Sequence, residues 1–359
     1  ENYIKNYQNI EKRANEILNE ELCAYKIDEG DRLLFVSRQC KEVIENLSFM
    51  VKILEIYKQD RPEGEIAQIQ EKIDKYVDRA IKELINVCQF QDWHPTHFLD
   101  TAEMSYSVAL GYNWLNNYLS ENEKMIIEKA ILEKALLPSV SSDYDRQFSE
   151  KENNWNQVCN SAMIVSAIAI YNADNIDILV EDITDYLIRK NFEGKEKITL
   201  KELCNKIITR GIEELPYALK QIQPDGGYAE GITYWEYGNS YMIYALSSMQ
   251  LTLNDTYGLL DNEYMKQTIL YPIYLTGKSS NNLYETKVFN YGDADDFVVN
   301  VATSTWLANQ YYKDKKLSYI VNWYQENYQE SLNIYQLLWQ EEEYMTNKIS
   351  QENLSEILK

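Results

Sequence analysis

At 359 residues the chain is long enough for one large domain or two ordinary ones, and it carries 35 basic against 57 acidic residues, a formal net charge of −22. That balance excludes a general nucleic-acid binder, which needs a basic face to displace counterions from phosphate, and no uncharged apolar run of about eighteen residues is present to span a membrane. With 12 glycines and 6 prolines among abundant Glu, Lys, Leu, Ile and Asn, the composition predicts an almost entirely helical, all-α fold.

Residues 2–24 read as a polar amphipathic helix and 33–57 as a second, with Leu33, Val36, Cys40, Val43, Ile44, Leu47, Met50 and Val51 on its apolar face. Arg61 to Gly64 interrupts the pattern, and a third helix runs over 66–89. A loop over 91–96 leads to a helix from His97 to Leu119 with Thr96 as N-cap. Ser120 followed by Glu123 spells a capping box for a helix ending near Pro138. The stretch 139–152 is polar and aperiodic. Residues 153–171 then turn into an apolar helix of small residues, followed by helices near 175–190, 199–221, 232–253, 262–276, 297–312 and 316–328. No strand pattern is visible. A domain over 1–340 and a charged helical tail over 341–359 are expected.

Helices of alternating direction on short links predict stacked helical hairpins, closed into an (α/α) toroid or left open as a solenoid. No fixed repeat length supports a regular solenoid. The five cysteines stand singly, with no C-x-x-C and no His pair at zinc spacing, so buried thiols are expected and no metal site. No cofactor is expected. Cysteine usage leans towards a reducing compartment. The first residue is Glu, so a cleaved signal peptide would leave no trace.

The stretch from Pro224 to Tyr241, PDGGYAEGITYWEYGNSY, concentrates the unusual chemistry. Pro224, Asp225, Gly226 and Gly227 predict a tight turn in which glycine supplies positive φ. Glu230 follows, and on the helix after it Tyr234, Tyr237 and Tyr241 fall on one face. Such a row serves equally as half-buried packing, since the chain has 30 tyrosines.

Four blocks together, DWHPTHFLDTAEMSYSVALGYNWL (92–115), NNWNQVCN (153–160), DGGYAEGITYWEYGNSY (225–241) and FNYGDADD (289–296), resemble in order and spacing those of the heparinase II/III-like polysaccharide lyases, over about residues 35–310. The resemblance implies the family's N-terminal (α/α) toroid without its C-terminal β-sandwich. It implies β-elimination on a uronic-acid-containing polysaccharide, such as a glycosaminoglycan or alginate, and a secreted, periplasmic or cell-surface location.

That reaction needs a donor that neutralises the uronate carboxylate, so that a base can remove the C5 proton and an acid can protonate the leaving oxygen. The resemblance assigns Asn154 as neutraliser, with Gln157 one turn on. It assigns Tyr234 as base and acid, with Tyr237 and Tyr241 on the same face and Glu230 orienting it or contacting sugar hydroxyls. His97 is a further catalytic candidate, and Trp93, His94, Trp155, Trp235, Asn290 and Asp293 are candidate sugar ligands. Bland alternatives stand beside these: Asn153 and Asn154 as helix caps, His97 as a structural residue at a helix start, and Asp293, Asp295 and Asp296 as a solvated cluster. Arg146 and Arg210 are the basic residues nearest the blocks in sequence. Two other functions fit an α/α toroid. One is an inverting glycoside hydrolase using Glu230 against Asp100, Glu103 or Asp225, with carboxylates about 6.5–9.5 Å apart. The other is a non-catalytic carbohydrate-binding domain.

Overall fold

The computed structural model describes residues 2–144, 148–173, 176–278 and 285–341. Arg146 and the tail beyond residue 341 lie outside them. The protein is all-α, and the described residues hold nine longer helices: α1 (Asn2–Ile17), α2 (Leu34–Lys58), α3 (Glu63–Cys88), α4 (Phe98–Trp114), α5 (Glu121–Ile131), α6 (Asn154–Ala169), α7 (Leu200–Leu219), α8 (Ile232–Thr252) and α9 (Lys315–Tyr328). Short helical turns fill several connections. The chain gathers into two compact units. One holds the first six residues, Glu150–Gln157 and everything from Leu215 onward; the other holds Tyr7–Ser149 and Val158–Glu214.

In the second of these, α2 packs on both α3 and α4. The stripe read from the sequence is the stripe that is buried, from Val36 through Cys40, Ile44 and Leu47 to Val51. Helix α4 is buried on nearly all sides, which removes any periodic signal from its sequence. Helix α5 opens on the expected capping box: Ser120 accepts from the Glu123 backbone N–H and Glu123 reaches back to the Ser120 N–H. All five cysteines are buried free thiols. Burial pushes Cys88 and Cys204 up to about 12, so they remain protonated small apolar groups.

Several boundaries differ from expectation. Helix α1 ends at Ile17 rather than 24, because the chain beyond it finds partners on α3. Glu83 accepts the Cys23 N–H at 3.0 Å, Asn86 donates to the Cys23 carbonyl at 2.7 Å, and Arg79 donates to the Glu21 carbonyl at 3.2 Å. Helix α3 starts right after Pro62, three residues early, since proline suits the position just before a helix. The N-cap of α4 is His97, not Thr96, whose hydroxyl meets His94 Nε2 at 3.1 Å instead.

The expected helix over 175–190 is broken: a three-residue strand β1 (Asp177–Leu179) pairs antiparallel with β2 (Lys197–Thr199), Ile178 opposite Ile198, and only the short helical turns Val180–Asp182 and Tyr186–Arg189 follow it. Both isoleucines are buried while Asp177, Lys197 and Thr199 are exposed and Leu179 is half-buried, a period-2 pattern too short to read in advance. A second hairpin pairs β3 (Thr276–Lys278) with β4 (Thr286–Val288). The segment 297–301 precedes a helical turn that begins only at Ala302, whose N–H is accepted by Asn300 Oδ1.

The other unit is built around α8, which packs against the turn Ala302–Trp306. An aromatic row continues from its inner face: Tyr241 meets Tyr244 at 5.6 Å, Tyr244 meets Tyr335 at 4.3 Å, and Tyr335 meets Trp339 at 5.3 Å. In the α2 core, Leu47→Ala is expected to cost about 2–5 kcal/mol. Leu251→Ala, on a side chain 87% exposed, should stay within ~0.5 kcal/mol of wild type. Chemical denaturation of both variants checks the assignment.

Candidate functional site

Three of the four sequence blocks meet in the unit around α8. The turn after Ile222 closes as expected: Gly226 has φ +85°, and a Cβ there would fall 2.5 Å from the Thr268 nitrogen, so glycine is required twice over. Five residues on, Gly231 (φ 96°) lets the chain enter α8 against Ala294 and the Tyr291 carbonyl of the 289–296 loop. A phenol clasp holds that loop down. Tyr291 donates to the Tyr228 carbonyl, and Tyr271 lies 2.5 Å from the Tyr291 hydroxyl.

Between these glycines, Glu230 is delivered to the start of α6. Its Oε2 accepts the Asn154 backbone N–H at 2.8 Å and its Oε1 accepts Asn154 Nδ2, also at 2.8 Å. A helix N-terminus favours an anion, and here a side-chain amide adds a second donor. Because a carboxylate only accepts, the NH2 side of the Asn154 amide must face Glu230. One of its two hydrogens is thereby committed.

Behind this pair runs a chain of buried amides whose orientation is equally fixed. Asn239 Nδ2 donates to the Trp235 carbonyl at 2.9 Å, so its Oδ1 faces Gln157 Nε2 at 3.0 Å. Gln157 Oε1 is left to accept the Tyr228 hydroxyl at 2.6 Å. The Tyr228 oxygen also lies 3.3 Å from Glu230 Oε2, but its single proton is spent on Gln157. Burial, and then the Glu230 charge, raise the Tyr228 phenol well above its ordinary range, so it stays a donor. The chain fits because Gly238 presents bare backbone: a Cβ there would sit 2.3 Å from Gln157 Oε1.

These contacts revise several expected roles. Asn154 is the first helical residue, 4% exposed, and holds Glu230 rather than capping the helix itself. Gln157 is fully buried in the amide chain and presents no donor to a ligand. Trp235 is fully buried with its indole N–H on Thr268, and Tyr241 is 1% exposed against its aromatic neighbours. Both are core. Tyr234, Tyr237 and Trp155 are half-buried, and Asn290 and Asp293 are exposed. Asn290 Nδ2 closes its own loop onto the Ala294 carbonyl at 3.1 Å. Glu230 turns to Asn154 rather than to Tyr234.

The first block lies in the other unit and is organised by Asp100, a fully buried carboxylate. Its Oδ2 accepts the Leu33 N–H at 2.6 Å and meets His94 Nδ1 at 2.8 Å; its Oδ1 meets His97 Nδ1 at 2.7 Å. Each imidazole therefore carries its proton on Nδ1, and as a neutral ring keeps Nε2 as its acceptor. His94 takes φ +57° to reach this position. Trp93 is fully buried, its N–H on the Val87 carbonyl at 3.0 Å, and so is a core residue, not a sugar platform. Glu103 is buried and pairs with Arg38 at 3.0 Å. Arg210 is buried too and donates to the Ser139 carbonyl at 2.6 Å, which removes it as a cation for a ligand.

Sequence reading misses Tyr228, Gly238, Asn239, Tyr291 and the anchoring role of Asp100. The spacing of Asp100 three residues after His97 and six after His94 is a signal for the last, and a glycine inside the α8 pattern is one for Gly238. Among the described residues no group of three or more His, Cys, Asp or Glu side chains is placed to hold a metal ion. No helix there is long and apolar enough to cross a membrane. Comparison of the chain with protein-family models and with curated proteins gives no match.

Two substitutions test these clusters. Gly238→Ala drives a methyl into Gln157 and should cost about 1–3 kcal/mol by overpacking, read as a lowered denaturation midpoint. Asp100→Ala strands the buried Leu33 N–H and releases both imidazoles. The stranded donor alone is expected to cost ~1–3 kcal/mol, and Asp100→Asn less, in the same assay.

Proposed function

We propose that the protein is a polysaccharide lyase that cleaves uronic-acid-containing chains by β-elimination, with Asn154 polarising the uronic carboxyl group and a tyrosine at the start of α8 transferring protons. The observation that carries this reading is the capture of the Glu230 carboxylate by the Asn154 amide and backbone N–H. It supports the reading because it is an arrangement complementary to a carboxyl group, set one helical turn of chain from Tyr234. The resemblance of the four sequence blocks to the heparinase II/III-like lyases supports it independently.

In this mechanism the second hydrogen of Asn154 Nδ2 donates to a carboxyl oxygen of the sugar, so that charge can accumulate there as the C5–H bond breaks. The Tyr234 phenolate takes the C5 proton. The C4=C5 double bond forms as the C4–O bond breaks, and the same tyrosine returns the proton to the leaving oxygen. Tyr237, one turn further on and edge-to-face with Tyr241 at 5.7 Å, is the alternative proton carrier. Glu230, Tyr228, Gln157 and Asn239 hold the donor in place. The hydrolase alternative asks Glu230 to serve as a free acid or base, whereas both of its oxygens are already engaged at a helix start.

Incubation with a panel of uronic polysaccharides, followed by ultraviolet absorbance of the unsaturated product, tests the reaction. Asn154→Ala is expected to slow turnover by ~10²–10³-fold, the usual loss for one preorganised donor. Tyr234→Phe keeps the ring and should abolish turnover with binding and melting temperature little changed. Full activity in both the Tyr234→Phe and Tyr237→Phe variants would overturn the tyrosine mechanism, and a product without the new double bond would point to hydrolysis.

A further inference from the structure

Resting on that reading, we infer that the site takes uronic residues whose carboxyl group is uncharged, that is, carboxyl-esterified uronides, in preference to free polyuronates. The donor that would polarise the sugar carboxyl, Asn154 Nδ2, already has a carboxylate on its other hydrogen, and the adjacent backbone N–H is spent on the same group. A free uronate bound at Asn154 would therefore lie beside the Glu230 charge, within a few ångströms. Elimination makes this worse. It passes through an enolate that adds one negative charge, giving a dianion from a free uronate but a monoanion from an ester.

The three segments gathered here are strongly acidic. Within 150–157, 224–241 and 289–296 there are eight carboxylates against the single basic residue Lys151. Lys220 pairs with Glu152, and Lys287 pairs with Asp296 and Glu285. An ester carbonyl asks for less: one amide N–H suffices to orient it, and the C5 proton next to an ester is more acidic than one next to a carboxylate. Amide and phenol donors without a cation match such a group.

The test compares oligogalacturonides and oligomannuronides with their own methyl esters, using the full chain at low ionic strength. Equilibrium binding is measured first, then formation of the unsaturated product. The esters are expected to bind about 100-fold tighter, the scale of two like charges a few ångströms apart at a protein surface, and to be the forms turned over. Glu230→Gln removes the charge and keeps the size, and should shrink the ester preference to within a few-fold. Glu230→Asp keeps the charge and should retain the preference. If Glu230→Gln does not fold, the wild-type comparison decides alone. Equal or tighter binding of the free acids, or an ester preference untouched in a folded Glu230→Gln variant, overturns the inference. Turnover confined to free acids would do so while leaving the lyase reading standing. Failure of both the acids and the esters to bind would remove the inference and the lyase reading together.

Discussion

The contact between Glu230 and the first residue of α6 is the constraint on which the unit around α8 depends. It ties together three segments that are far apart in sequence: the 224–231 turn, the start of α6 and, through Tyr228, the amide chain against α8. Each neighbour is shaped to permit it. Gly226 and Gly231 bend the chain so that the carboxylate arrives facing the helix start. Gly238 clears the space that Gln157 and Tyr228 fill. The phenols of Tyr271 and Tyr291 hold the Tyr228 carbonyl from the other side. Burial raises the Tyr271 phenol well above its ordinary range, so it too remains a donor.

Asp100 obeys the same logic in the other unit. Both carboxylates are held by backbone N–H groups and neutral-capable side chains rather than by lysine or arginine. On a chain of net charge −22 this is economical in a physical sense: an amide or an imidazole satisfies a carboxylate's lone pairs without having to desolvate a full cation. Arginine is used for other buried acids: Arg79 pairs with Glu83 at 2.8 Å, which anchors the chain at Cys23, and Arg38 pairs with Glu103 at 3.0 Å. An anion held by neutral donors keeps much of its charge visible to whatever comes next to it.

The helical class, the core stripe of α2, the capping box at Ser120 and the turn at Gly226 were all legible in the sequence, because each is a local rule acting over a few residues. Residues 153–157, 225–241 and 289–296 come together in one unit, whereas the first block, over 92–115, belongs to the other. What the sequence hid depends on partners distant along the chain. The end of α1 at Ile17 is set by side chains of α3, and the strand at Asp177 by one some twenty residues later. Trp93 and Trp235 looked like sugar platforms because tryptophan often is one, yet the acceptor that makes each a core residue comes from elsewhere: the Val87 carbonyl and the Thr268 hydroxyl. The partner of Glu230 is invisible in the sequence, since nothing local points from residue 230 to residue 154.

The tyrosine row on α8 shows where packing gives way to chemistry along one helix. Spacing alone puts Tyr234, Tyr237 and Tyr241 on a common face and cannot rank them. The structure grades them by depth. Tyr241 is sealed between Tyr237 and Tyr244, and the stack runs on through Tyr335 to Trp339, a ladder that gains from burial and edge-to-face geometry and has no route to a ligand. Tyr237 caps that ladder, half-buried, and Tyr234 lies beyond it at the helix start. A phenol that must exchange a proton with a substrate has to combine a fixed ring with a reachable oxygen. Of the three, Tyr234 is the one nearest in chain to Glu230 and half-buried without being part of the sealed stack. The row is therefore both core and candidate site, divided between its second and third members.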